Sequence, residues 1–297
     1  MPEAVASFGG VLSGDYIYVY SGHMGEAHAH SKKNLSQKFQ RLNLQSAGEW
    51  ENLPGGPGLQ SVALVTDGKA VYRVGGLSAH NEPGQDADLE SVTDFERFDP
   101  VAKTWTKLQA LPAGRSSHDA IVADGKLYVL GGWNLGDDEV WYDHGLALDL
   151  AKADAKWEQL PKQPFQRRAL AVAALDGKIY AIGGMTSENK PSTETDVLDT
   201  KTNTWSKGPN LPGQGMAGFG TSALAVDGKL YATTMDGNVC RLSDDGSKWD
   251  VVGKLQTPRF FHRILPGKDA SLLIVAGASH MHGHLDSIER FPLSSKQ

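Results

Sequence analysis

Apolar positions in this chain come in short runs of four to six, broken by turns, and the whole arrangement recurs about every 50 residues, the mark of a repeat array. Each cycle reads apolar run, turn, aromatic-containing apolar run, small residues, third apolar run, tryptophan. The clearest copies are Asp67-Gly68-Lys69, Tyr72, Gly75-Gly76, Trp105; Asp124-Gly125-Lys126, Tyr128, Gly131-Gly132, Trp157; and Asp176-Gly177-Lys178, Tyr180, Gly183-Gly184, Trp205. A fourth, Asp227-Gly228-Lys229, Tyr231, Trp249, has Thr234-Met235 in place of the glycine pair.

Asp-Gly between apolar runs predicts a tight hairpin, because both residues tolerate the positive φ such turns need. Ser117 to Val122 and Leu127 to Leu130 are thus expected to pair. The glycine pair lets backbone approach where a Cβ would collide. Third strands are predicted at Phe39 to Leu42, Phe95 to Phe98, Leu146 to Asp149 and Val197 to Asp199, with the tryptophan on a fourth. Four antiparallel strands form one blade.

Two degenerate copies flank the good ones. The first has Gly14-Asp15, Tyr16, Tyr18, Ser21-Gly22 and Trp50; the last has Gly267-Lys268-Asp269, Leu273, Ala276-Gly277 and Phe291. Over essentially its whole length the chain resembles the kelch family. The resemblance implies an all-β, six-bladed β-propeller with four-stranded antiparallel blades, one domain over 1–297, with blades near 4–54, 58–112, 115–161, 167–212, 216–256 and 259–293. The innermost strands would line a central channel.

Composition fits a large buried core, at 40% hydrophobic and 22% charged residues in 297. A formal net charge of -6 argues against nucleic acid, which calls for a basic face. No run approaches the ~20 apolar residues of a membrane helix. Met1 to Ala4 carries no signal-like pattern, which suits a cytoplasmic chain or an exported one whose signal was removed. The single cysteine, Cys240, excludes an intrachain disulfide and reads as core packing. No cofactor motif is present, and none is expected.

A ligand would be met at the channel mouth. Inner strands are expected to start at Val5, Leu59, Arg115, Arg167, Gly218 and Arg259, and three residues on stand Phe8, Val62, His118, Leu170, Thr221 and His262. Arg115, Arg167 and Arg259 could hold an anionic or polyhydroxylated ligand, or bond carbonyls and carboxylates of the blades. His118 and His262, on opposite blades, are expected to face each other across the channel and are the candidate acid–base pair. Trp133, with Trp141, Tyr142 and His144, offers stacking surface on the blade-three loop.

Loop lengths predict a rim that is high at blades one and two (His23 to Lys38, Leu77 to Thr93) and low at blade five, where Asp236 to Asn238 turns back at once. Histidines gather on the first and last loops, and an extended backbone would align His28 with His30 and His280 with His282 for a borderline metal. None of these spacings is a metal signature, so no metal site is assigned.

The chain also resembles particular kelch-like enzymes to different degrees. The copper and linked Tyr–Cys of galactose oxidase-like proteins do not suit a Cys240 beside the blade-five hairpin. The iron-binding Glu-x3-Asp-x3-His of plant specifier proteins has Glu139 and Asp143 here, but Ala147 in third place. Bacterial sialic acid mutarotases are six-bladed and of comparable size, and their anionic sugar would suit the three arginines. The leading expectation is a binding propeller that takes a protein segment or a small polar or anionic ligand, and the alternative is a mutarotase. Finally, no tryptophan strand follows Pro292, so blade six is expected to lack its outer strand, with its edge open or covered by a second copy.

Overall fold

The computed structural model describes residues 1–46, 48–136 and 139–293. Among the described residues six antiparallel sheets of three to five strands follow one another in chain order, three two-stranded ribbons lie on the connections, and the one helical element is a 3-10 turn at Lys32–Asn34. This is a six-bladed propeller.

Hairpin chemistry sets each blade. Asp124, Asp176 and Asp227 sit at φ 49°, 51° and 51°, and the glycine after each is also positive, giving two-residue turns. Those turns fix the pairs Ala123↔Lys126, Leu175↔Lys178 and Val226↔Lys229. Blade two differs: Thr66 pairs with Val71, so its turn spans four residues, and the Asp67 carboxylate accepts from the N–H groups of Lys69 and Ala70.

Blade three is the largest, with strands Ser116–Ala123, Lys126–Asn134, His144–Asp149 and Glu158–Lys162, and a short Val140–Trp141 strand folded back on the second. Blade six has three strands among the described residues, Arg263–Gly267, Ser271–Val275 and Ile288–Pro292. The missing outer strand expected from the sequence is therefore absent from that sheet.

The core lies between neighbouring blades. Phe98, Leu127, Ile179, Leu198, Leu230 and Leu272 are all 0% exposed. The glycine pair serves this contact. A Cβ on Gly75 would fall 2.3 Å from the carbonyl oxygen of Arg115 in the next blade, and one on Gly183 would fall 2.4 Å from that of Gly218.

Two repeated hydrogen bonds tie blade to blade. Trp105, Trp157, Trp205 and Trp249 each donate the indole N–H to the previous blade, at Pro54, Gln109, Pro161 and Pro209. Each acceptor stands four residues after that blade's own tryptophan.

Around the axis runs a closed backbone circle. Ser7 donates to Phe261, Ser61 to Ser7, Ser117 to Ser61, Ala169 to Ser117, Gly220 to Ala169 and Phe261 to Gly220, at 2.6–3.2 Å. All six residues hold φ between 52° and 62°, and five are not glycine. The left-handed backbone strains each of those five, and the circle of bonds compensates. The circle links all six inner strands, and blade six is further tied to the start of blade one by bonds from Val5 N–H to the Leu285 carbonyl and from Gly277 N–H to the Val5 carbonyl.

Candidate functional site

The axial circle separates what a ligand could reach from what it could not. Arg115, Arg167 and Arg259 stand two residues before it, and each is 1–2% exposed. Strand alternation turns these side chains into their own blades. Arg167 bonds the Asp196 carboxylate at 2.6 Å and the Glu194 carbonyl at 2.7 Å. Arg259 bonds the Ala276 carbonyl and the Glu289 carboxylate, both at 3.1 Å. Arg115 reaches only the carbonyls of Gly131 and His144, at 3.1 and 3.2 Å, with the Tyr142 ring 3.8 Å away. Burial without a carboxylate pushes its pKa down to about 10. In blade two the same place is filled from the second strand by Arg73, paired with Glu96 at 2.8 Å. The structure thus places the three arginines inside the blades, bonded to the protein.

His118 and His262 line one axial cavity of about 50 Å³, just inside the circle. Each ring packs into a seam between blades. A Cβ on Gly75 would come within 2.8 Å of His118 Cε1, and His262 Nε2 meets Thr233 Oγ1 at 2.8 Å. Burial, followed by nearby arginines, pushes both pKa values down to about 3. Past them the channel is crossed by an ion pair from Arg263 to Asp119 at 2.8 Å.

Residues one step closer to the mouth face outward: Arg168, Phe219 and Phe260 on blades four, five and six, all half-buried. The Arg168 guanidinium lies 4.4 Å over the Trp133 ring and 5.6 Å from that of Trp141, and these two indoles meet edge to face at 5.2 Å. Arg168 Nε and Trp133 Nε1 have no hydrogen-bond partner among the described residues. On the next two blades Phe219, Phe260 and Phe261 form one cluster with centroids 5.0–6.3 Å apart, flanked by His280 at 5.3 Å from Phe260. Met216 and Met281 are 39% and 84% exposed. Sequence reasoning fixed on the first arginine of Arg167-Arg168; the period of two within a strand was the signal for the second.

Of the blade-three loop, Tyr142 is core, its hydroxyl bonded to the Gly114 carbonyl at 2.7 Å. His144 is half-buried beside Asp143, at 3.2 Å. Glu139 accepts from the Trp141 indole, and Ala147 is buried in the third strand.

Among the histidines, the fold brings His23, His30 and His284 together. His23 Nδ1 lies 3.2 Å from His284 Nε2, and its Nε2 donates to the Ala29 carbonyl. His28, His280 and His282 are exposed and stand outside that group. Among the described residues no three metal-ligating side chains are placed to share an ion. Cys240 is wholly buried, and burial pushes its thiol up to about 12. Among the described residues no helix is long and apolar enough to cross a membrane.

Residues 7–234 match the KLHDC2/KLHL20/DRC7 Kelch-repeats domain, and the chain belongs to the kelch family. It is 25% identical to a Kelch repeat and BTB domain-containing protein 12 of Danio rerio, over 83% of this chain and 42% of that protein, so it spans less than half of that relative. It is 27% identical to N-acetylneuraminate epimerases of Pasteurella multocida and Haemophilus influenzae, over 98% and 100% of this chain and 72% of each epimerase. The solved structure of YjhT superposes with a TM-score of 0.80 over 100% of this chain and 97% of that one, at 17% identity, a likeness of fold.

Proposed function

We propose that this chain is a binding propeller that seats an extended protein segment on its loop-bearing mouth. The observation that carries this is the composition of the mouth: a cation framed by two indoles on blades three and four, and a cluster of three phenylalanines on blades five and six. Aromatic rings and arginine are the residues that dominate recognition surfaces, and exposed methionines adapt to varied apolar partners. A segment with an acidic side chain beside an apolar one matches this surface, with the carboxylate on Arg168 and the apolar group on Phe219 and Phe260. The candidate acid–base pair, His118 and His262, is packed into seams inside the axial circle, which favours binding over catalysis.

The second reading is an epimerase acting on an anionic sugar, supported by the end-to-end match to the N-acetylneuraminate epimerases. Arg168 would then meet the sugar carboxylate.

One experiment separates the two. The chain is panned against a displayed peptide library, enriched peptides are titrated by calorimetry, and anomer exchange of N-acetylneuraminate is followed by NMR. The binding reading expects enrichment of acidic–apolar peptides, affinity lost at least tenfold in Arg168→Ala with the melting temperature kept, and no acceleration of anomer exchange. Acceleration that disappears in Arg168→Ala would establish the second reading instead.

A further inference from the structure

Histidines of the first and last loops meet where blade six returns to blade one, and their ring nitrogens stand in an arrangement that protons alone do not satisfy. Backbone bonds fix both loops at that point. His23 exchanges bonds with Ala6, donating at 2.8 Å and accepting at 3.1 Å, while Leu285 donates to Gly277 at 2.8 Å and accepts from Val5 at 3.3 Å. His284 stands one residue before Leu285, on the short strand Gly283–His284 that pairs back on Ala278–Ser279. Two rings from opposite ends of the chain are thus held by backbone that is itself bonded.

The His23 Nε2 N–H is taken by the Ala29 carbonyl at 3.2 Å, so the neutral ring keeps its lone pair at Nδ1. That nitrogen lies 3.2 Å from His284 Nε2. Burial lowers the His284 pKa, and a backbone hydrogen bond to Gly25 opposes the shift by favouring a ring N–H. A neutral imidazole has one N–H to give. On His284 two acceptors compete for it, His23 Nδ1 and the Gly25 backbone. A second proton would serve both, but it would join a like-charged group: the charged neighbours that act most on His23 are His284, His30 and His28, and on His30 it is His28.

A divalent cation between the two nitrogens removes the conflict. Tetrahedral ligation at ~2.0–2.1 Å sets two imidazole nitrogens ~3.3–3.4 Å apart, close to the 3.2 Å found. The His284 N–H is then left for Gly25, and the Ala29 carbonyl holds the far nitrogen of His23, the kind of outer bond that orients metal-bound imidazoles. His30 packs against His23 with ring centroids 5.3 Å apart, but its Nδ1 is engaged by Gln60 Nε2 at 3.0 Å, so it braces the pair rather than adding a ligand.

We propose that His23 and His284 are the two protein ligands of a zinc-type divalent ion that staples the blade-six loop to the blade-one loop, with water in its remaining positions. Imidazole suits Zn²⁺, Co²⁺, Ni²⁺ and Cu²⁺, whereas Mg²⁺ and Ca²⁺ take oxygen ligands that this pair does not offer. With two protein ligands the site binds more weakly than a closed four-ligand structural site. It stabilises the folded ring because only the folded ring brings the two rings together.

The whole chain, stripped with EDTA, is titrated with ZnCl₂ by calorimetry and by NMR of its histidine ring nitrogens. One ion is expected to bind with micromolar affinity, to give its largest shifts at His23 Nδ1 and His284 Nε2, and to slow amide exchange of His23 and Leu285 at least tenfold while blade three stays unchanged. MgCl₂ should do none of this. His23→Gln and His284→Gln should each weaken binding at least tenfold, whereas a chain carrying both His28→Gln and His282→Gln, at exposed positions, should bind as the parent does. The proposal is overturned if no ion binds at micromolar concentration, if binding is lost with the exposed pair instead, or if the largest shifts fall on other ring nitrogens. The NMR readout is made on the parent chain, so it decides even where a variant does not fold.

Discussion

Arg263 of blade six and Asp119 of blade three join across the channel, Nη1 to Oδ1 at 2.8 Å, although 144 residues separate them in sequence. The other Asp119 oxygen accepts from the Val172 N–H of blade four at 2.9 Å. One carboxylate thus links three inner strands. Asp119→Ala removes both bonds and leaves the guanidinium and the Val172 N–H unpaired, so it should cost about 2–4 kcal/mol in urea unfolding. A loss below about 0.5 kcal/mol would show that the axis is held by the backbone circle alone.

Buried arginines should differ in the damage their loss does. Arg167→Met leaves the Asp196 carboxylate, itself 0% exposed, with Lys207 as its one remaining cation at 3.0 Å, and should cost about 2–4 kcal/mol. Arg115→Met strands only carbonyls and should cost about 1–2 kcal/mol less. Paired unfolding curves test the order, which reverses if the cation rather than the orphaned acid dominates.

Acid should weaken the seam between blades six and one. Because His23 Nε2 donates to a carbonyl, neutral His23 accepts from His284 at Nδ1, and burial lowers its pKa to about 4. The unfolded value is near 6.5. The unfolded chain then binds a proton that the folded one resists, so this contribution is full above pH ~6.5 and is lost as pH falls toward ~4. His30 and His284, also lowered by burial, act in the same direction. His23→Gln keeps a donor for Ala29 and should make the fall in urea midpoint from pH 7 to 4 shallower; an unchanged slope would remove His23 from the account.

Indole latches should be unequal. Trp105→Phe removes a 2.8 Å bond to the Pro54 carbonyl and leaves that acceptor without its donor, costing about 1 kcal/mol or more. Trp50→Phe removes an indole that meets no such carbonyl among the described residues and should fall within about 0.5 kcal/mol of the parent. Equal losses would mean that ring area, and not the hydrogen bond, sets the value of these tryptophans.

What the sequence determined by itself was everything that repeats. Asp124-Gly125 and Asp176-Gly177 dictate tight turns through local φ, Gly75-Gly76 demands close backbone contact, and tryptophans mark the fourth strands of blades one to five; six cycles give six blades. These are local constraints, and local constraints are written in adjacent residues. Direction and distance across blades were decided only by the tertiary structure. Arg167 and Arg168 are neighbours in sequence, yet strand alternation sends one to Asp196 inside the blade and the other to Trp133 at the mouth. His118 and His262 share an axial cavity, but the seams in which their rings pack are set by Gly75 and Thr233 on neighbouring blades. The Arg263–Asp119 pair and the His23–His284 contact each depend on where a six-fold ring brings distant residues, which no local pattern encodes.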